Sequence, residues 1–223
     1  MVFDFSMHTL IDLPYFPPIA YFSVCLLSET LTIDVCEYYE KQSYRNRCYI
    51  NTSQGVLPLS VPILHNKDKK QIIKDIKIDY KENWVNIHWR SIVSAYRKSP
   101  FFEFYADFFR EILYKKTNFL LDLNLEILNT CLRFLGLNKN LVITQKYIEK
   151  KENLSYTDLR SFIHPKKKDN ALVFYQAKPY VQVFGSKFED NLSIIDLLFC
   201  EGSNALALLK ASTKEQNHPI ISL

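Results

Sequence analysis

The stretch from His8 to Val35 constrains this chain most. Residues 8–14, HTLIDLP, form a short apolar strand that Pro14 ends, and the three prolines of PYFPPIAYF forbid its continuation because proline has no N–H to donate to a sheet. Residues 19–27, IAYFSVCLL, open a helix on that rigid loop. Leu31 to Val35 then returns to strand, since Thr32, Ile33 and Val35 are β-branched and favour extended backbone. Strand, loop, helix, strand is the start of an α/β fold with a small sheet, mixed or parallel.

Further along, Cys48–Asn51 and Leu57–Pro62 flank a turn at Ser53–Gly55 and predict a hairpin. From Asn83 to Leu137 the apolar period becomes helical. Val85, Trp89, Ile92, Val93 and Tyr96 recur at three and four residues, with Asn86, Arg90 and Arg97 on the opposite face. Ser99–Pro100 reads as a helix restart, because Ser caps well and Pro is tolerated at the first helical position. Phe101 to Phe109 read as core, and a third helix from about Asn118 ends at Gly136. These three helices are expected to form the central group. Leu141–Thr144 predicts a strand, residues 146–170 a mobile polar loop region, and residues 171–184 a strand around Pro179. NLSIIDLLF opens a last helix, whose Ser193 and Asp196 fit the S-x-x-D capping pattern. The 223 residues are read as one domain, 1–223.

Composition removes whole classes of function. The four glycines, at 55, 136, 185 and 202, stand far apart, so neither a Walker loop nor a GxGxxG fingerprint can exist. A formal charge of +4 is well short of the field a dedicated nucleic-acid binder carries, and Lys67, Lys69 and Lys70, or Lys166 to Lys168, sit beside Asp68 and Asp169 as solvated loops. Five cysteines without a CxxC pair and five separated histidines argue against a disulfide framework and a structural zinc. No apolar run reaches the ~18 residues of a membrane helix, and Asp4, with no basic segment before an apolar one, does not suit a signal peptide. A cytoplasmic protein is expected.

The densest chemistry lies in KQSYRNR, Lys41 to Arg47. Arginine offers a planar fork of donors for phosphate and carboxylate oxygens, and Gln42 and Asn46 both donate and accept. If the segment is extended, Arg45 and Arg47 share one face with Asn46 opposite. Two readings stay open: an anion clamp with Lys41 and Gln42 beside it, or ties to carboxylates such as Glu37 and Glu40. His88 is the best general-base candidate, its ordinary pKa lying near neutrality, with Ser91 one turn on. A helical histidine beside Trp is more often a capped or core group. Tyr15, Tyr21, Tyr44 and Tyr96 could stack on a sugar or a base, while Gln182 and Asp196, polar within apolar runs, require partners from backbone or substrate.

Taken in order, YFPPIAYF at 15–22, KQSYRNRC at 41–48, LSVPI at 59–63, HWRSIVSAYRKSPFFEFY at 88–105 and NLSIIDLLF at 191–199 resemble the WbqC-like family. Asp12, Pro18 and Ala20 stand where many members have Gln, Trp and Gly, and ENLSYTDLRSFIHPKKK replaces a glycine-containing segment. The resemblance implies a place in bacterial surface-polysaccharide (O-antigen) biosynthesis, with transfer of a glycyl or other acyl group to an activated sugar. The alternative it allows is a non-catalytic module that binds a saccharide or a pathway enzyme. The expected partner is a small anionic molecule, a nucleotide sugar or activated acyl donor; the cofactor is left open. The opening order of elements also looks like the HIGH-type nucleotidyltransferase-like folds, although no HxGH pair is present.

Overall fold

The computed structural model describes residues 8–64, 70–149 and 156–214. His65, Lys67, Asp68, Lys69 and His218, and residues 150–155 of the segment expected to be mobile, lie outside them. β1 (His8–Ile11) runs through the proline loop into α1 (Ile19–Leu27) and returns as β2 (Thr30–Ile33). β3 (Arg47–Thr52) and β4 (Gly55–Ser60) form the expected antiparallel hairpin, and β5 (Ile63–Leu64) pairs with β6 (Lys77–Ile78). Three helices follow, α2 (Trp84–Tyr96), α3 (Phe102–Tyr114) and α4 (Leu120–Phe134). The chain then re-enters the first sheet as β7 (Asn140–Ile143) and β8 (Thr157–Asp158), and closes with α5 (Ile194–Glu201) and α6 (Ala205–Ser212).

The main sheet has the order β7-β2-β1-β8, and every pairing in it is parallel. Thr9 faces Leu31 and Ile11 faces Ile33 in register. Parallel strands must be covered on both faces, and Thr9, Leu10, Ile11, Leu31, Thr32 and Ile33 are all buried. The single α/β domain expected from the sequence is therefore present, with the sheet parallel.

Helix α1 shows how distant segments complete this frame. Every residue from Ile19 to Cys25 is buried, and Pro18 before it offers no side-chain cap. The first helical N–H groups, which have no partner within a helix, are satisfied from far along the chain. Ile19 N–H donates to the Leu192 carbonyl and Ala20 N–H to Asn191 Oδ1, each at 2.9 Å. Asn191 holds a positive φ of 48° to make this reach, a conformation Asn tolerates better than most residues. At the other end, α6 is tied to α1 by a 2.9 Å bond between the Thr213 and Ser23 hydroxyls.

Helices α2, α3 and α4 do supply much of the core. Phe109 meets Phe16, Phe134 and Phe199 edge-on at 5.4, 5.8 and 6.0 Å between centroids. Helix α4 ends in a Schellman turn, with Gly136 at φ 65° and Leu137 N–H donating to the Leu132 carbonyl at 2.9 Å.

Several local readings are corrected. Phe104 and Phe108 are exposed, at 69% and 44%, because they occupy the outer side of α3. Ser99 does not start α3: its Oγ donates to the Tyr96 carbonyl at 2.6 Å, finishing α2, and the next helix begins at Phe102. The strand expected over 171–184 is instead 3-10 turns at Lys168–Val173 followed by irregular backbone. Pro179 removes one donor, Lys178 N–H goes to Ser212 Oγ at 3.0 Å, and Gln182 is drawn to Glu189 and Asp196.

Candidate substrate site beyond the carboxyl ends of the parallel strands

In open α/β sheets, ligands collect outside the carboxyl ends of the strands, where the strand order reverses. Here β2 lies on one side of β1 and β8 on the other, so the reversal falls between β1 and β8. Polar groups crowd these ends. Asp12 follows β1, Asp34 follows β2, Thr144 follows β7 and Arg160 follows β8. Arg160 Nη1 meets Asp34 Oδ2 at 2.6 Å and its Nη2 meets Asp158 Oδ2 at 2.7 Å, while Thr144 Oγ1 donates to Asp34 Oδ1 at 3.1 Å.

Arg45 is the second cation of this cluster and is sealed from solvent, 1% exposed. Its Nε donates to Glu37 Oε1 at 2.8 Å, Nη1 lies 3.3 Å from Glu40 Oε2 and 3.6 Å from Asp12 Oδ2, and Nη2 donates to Ser161 Oγ at 3.1 Å. Ser161, at a positive φ of 53°, is held by its own N–H on Asp12 Oδ1 and its hydroxyl on Glu40 Oε2. Burial disfavours charge on Arg45, but Asp12 and Glu37 more than offset this and hold it protonated. Burial pushes the Glu37 carboxyl up to about 7, against the pull of Arg45 and with the push of Asp12. Glu40, more exposed, is held below its ordinary value by the Ser161 hydrogen bond and Arg45, against a desolvation that acts upward.

The chain leaving β8 continues into one wall of a cavity of about 490 Å³, within the range of small-molecule sites. Lys168 and Tyr175 line it from that side, Tyr44 and Tyr49 from the other, and Asp190 and Asn191 close it. Tyr44 and Tyr49 meet edge-on at 5.9 Å. Burial, then the charge of Asp190, raises the pKa of Tyr175, and burial with Tyr49 and Asp190 raises that of Tyr44, so Asp190 stands close to both phenols. The result is aromatic surface beside three carboxylates, Asp169, Glu189 and Asp190, with one amide and one ammonium. Such a set suits a ring bearing several hydroxyls, whose C–H faces lie on aromatic rings and whose O–H groups reach carboxylate and amide oxygens. Tyr44 is placed by its carbonyl, which accepts from Tyr15 N–H at 2.9 Å, and by its neighbour Arg45 in the acid cluster.

The residues singled out in the sequence fall into separate groups. Tyr15 and His88 are brought together: the Tyr15 hydroxyl lies 2.9 Å from His88 Nδ1, both side chains buried. Burial lowers the His88 pKa to about 4, with a hydrogen bond to the Ser60 backbone working against it. Ser91, one turn on, is half-buried. Gln182 and Asp196 also meet, at 3.0 Å. Asp196 does not complete a capping box, since Ser193 makes no side-chain cap. Instead the buried Asp196 carboxylate accepts from the Tyr96 hydroxyl at 2.9 Å and the Tyr180 hydroxyl at 2.5 Å. Burial raises its pKa against these three donors.

The shared face of Arg45 and Arg47 is not formed. Tyr44–Asn46 is a single 3-10 turn, capped by Ser43 Oγ accepting from Arg45 N–H, and the strand starts only at Arg47. Arg47 donates to Ser60 Oγ at 2.7 Å and Asn46 to the Val61 carbonyl at 2.9 Å, while Lys41 and Gln42 are exposed. Sequence reasoning missed Asp34, Tyr49, Arg160, Ser161, Lys168, Tyr175, Asp190 and Asn191. One signal was available: both LID at 10–12 and TID at 32–34 end an apolar strand on an aspartate.

The WbqC-like protein family model matches residues 14–163 and 144–208. The chain belongs to the WbqC-like protein family. The match spans the proline loop, the Arg45 cluster, the tyrosine cavity and the Asp196 network. An uncharacterized protein of Mycobacterium tuberculosis, Rv1507c, is 29% identical over 215 residues, covering 86% of this chain and 92% of its own length. No solved structure matches, and the likeness to HIGH-type folds rests on the order of elements alone. No helix among the described residues is long and apolar enough to cross a membrane.

Proposed function

We propose that this WbqC-like protein serves bacterial surface-polysaccharide (O-antigen) assembly by holding the sugar of an anionic, activated saccharide against Tyr44, Tyr49 and Tyr175. There a glycyl or other acyl group would be transferred to it. The observation that carries this reading is the cavity itself, where three tyrosines surround Asp190 and Asn191 with Lys168 at the wall. A sugar amine or hydroxyl attacks the acyl carbon, the bond to the leaving group breaks, and a carboxylate takes the acceptor's proton. Asp190 is the group suited to that task, being exposed and beside two phenols. His88, buried with a pKa of about 4, acts in this reading as a positioning residue for Tyr15. Arg45 acts through Tyr44 in the same way, and Lys168 supplies the cation for the substrate's anionic part.

A second reading is favoured by one feature: among the described residues the cavity lining contains no Ser, Thr, Cys or His. A site without such a nucleophile or imidazole also suits a module that presents a saccharide to a partner enzyme without turning it over. Thermal unfolding with nucleotide sugars, coenzyme A thioesters and aminoacyl adenylates tests both. A ligand at 100 times its dissociation constant adds about 2.7 kcal/mol. A shift lost in Tyr175→Phe with Lys168→Gln supports the cavity; no shift from any class overturns it. Acyl transfer that is abolished in Asp190→Asn while binding survives selects the enzyme. Binding without consumption selects the module.

A further inference from the structure

Helix α2 carries a second concavity on its outer side, about 570 Å³, lined by Trp89, Arg90, Arg97 and Lys98, with Val183 and Phe184 as the facing wall. All three cations are exposed, and among the described residues none of them makes an ion pair. Among the described residues no carboxylate lines the groove, and α2 has no acidic residue over its whole length. On an exposed helix face, cations are commonly balanced by acids three or four residues away. A helix dipole accounts for Arg97 and Lys98, which stand at the carboxyl end of α2, but not for Arg90, a turn and a half inside it. Arg90 and Arg97 lie seven residues apart and so on the same face.

The apolar part of the groove is equally specific. Trp89 is half-buried, stacked on Phe102 with centroids 6.3 Å apart, and Phe184 is fixed opposite by its carbonyl, which accepts from Asn51 Nδ2 at 2.8 Å. Guanidinium groups bind phosphate oxygens in paired geometry, and an indole beside them offers surface to a flat ring.

We propose that this groove is a binding site for a nucleoside diphosphate, with Arg90, Arg97 and Lys98 on the phosphates and Trp89 and Phe184 against the base. The site is separate from the tyrosine cavity and does not rest on the reading of it. Calorimetric titration with ADP and UDP, and with inorganic pyrophosphate and adenosine as partial ligands, tests the assignment on the full chain. Both diphosphates are expected to bind, and the Arg90→Gln, Arg97→Gln double variant is expected to bind about tenfold or more weakly with an unchanged melting temperature, since both side chains are exposed. Asp190→Asn, in the other cavity, leaves this affinity as it is. Equal affinity in the double variant, or no binding of either nucleotide, overturns the proposal. Pyrophosphate binding as tightly as ADP overturns the part given to Trp89 and Phe184. A single-stranded oligonucleotide that binds far more tightly than ADP and is released by salt overturns it in favour of a nucleic-acid surface.

Discussion

The Tyr15 hydroxyl stands 2.9 Å from His88 Nδ1, joining the loop after β1 to the middle of α2 across the core. Trp84, one turn before His88, packs edge-on against the imidazole at 5.0 Å. A ring so enclosed stays neutral, with its pKa lowered from 6.5 to about 4. As pH falls below 6.5 the unfolded chain takes up a proton that the folded one refuses until about 4. Stability is therefore full above 6.5 and falls across that window, by up to ~3 kcal/mol. Denaturant midpoints at pH 7 and pH 5 should differ more for the native chain than for His88→Gln. A variant with the same acid sensitivity would show that His88 does not titrate in this way.

Arg45, sealed from solvent, faces the enclosed Asp12 and Glu37 and the more exposed Glu40. Replacing it by Met leaves buried carboxylates uncompensated and is expected to cost about 3–5 kcal/mol. Glu37, already pushed up to about 7, rises further in that variant. Its folded pKa then exceeds its unfolded value by more, so Arg45→Met regains stability as pH falls from 7 toward 5. Urea unfolding at the two pH values measures this, and a loss below about 1 kcal/mol would place Arg45 among ordinary surface ion pairs.

Asp196 collects Tyr96, Tyr180 and Gln182 on one buried carboxylate. Asp196→Ala strands two buried hydroxyls and an amide, and should cost about 3–5 kcal/mol, whereas Tyr180→Phe removes one donor and should cost about 1 kcal/mol. Similar losses for the two would mean that the network is not shared. Because Gln182 also holds Glu189 through two bonds, Asp196→Ala is further expected to loosen the Asp190–Asn191 side of the tyrosine cavity. Faster amide exchange at Glu189–Leu192 would report it.

Gly202 ends α5 at φ 53° and ψ −121°, a region closed to side chains. A Cβ there would sit 2.3 Å from Phe101 Cδ1. Gly202→Ala is expected to lower stability by at least ~2 kcal/mol, and a melting temperature within a degree or two of native would show that the turn relaxes freely.

What the sequence determined by itself was local. Proline placement and β-branched runs set strand, loop, helix and strand from His8 to Ile33, the hairpin at Gly55 and the three amphipathic helices, because each depends on neighbours within a few residues. Its misjudgements came where a local preference lost to a distant partner. Ser99 abandoned its cap for the Tyr96 carbonyl, Asp196 left the helix start for Tyr96 and Tyr180, and Arg45 folded into a turn to reach Asp12 and Glu37. Only the tertiary structure decided which polar groups share a site. Strand order β7-β2-β1-β8 carries Arg160 and Ser161 beside residues some 120 positions earlier, and the return of Asp190 to Tyr44 and Tyr175 builds the cavity. A buried charge must find its counter-charge wherever the packed chain brings one, and that choice is made by topology rather than by spacing along the sequence.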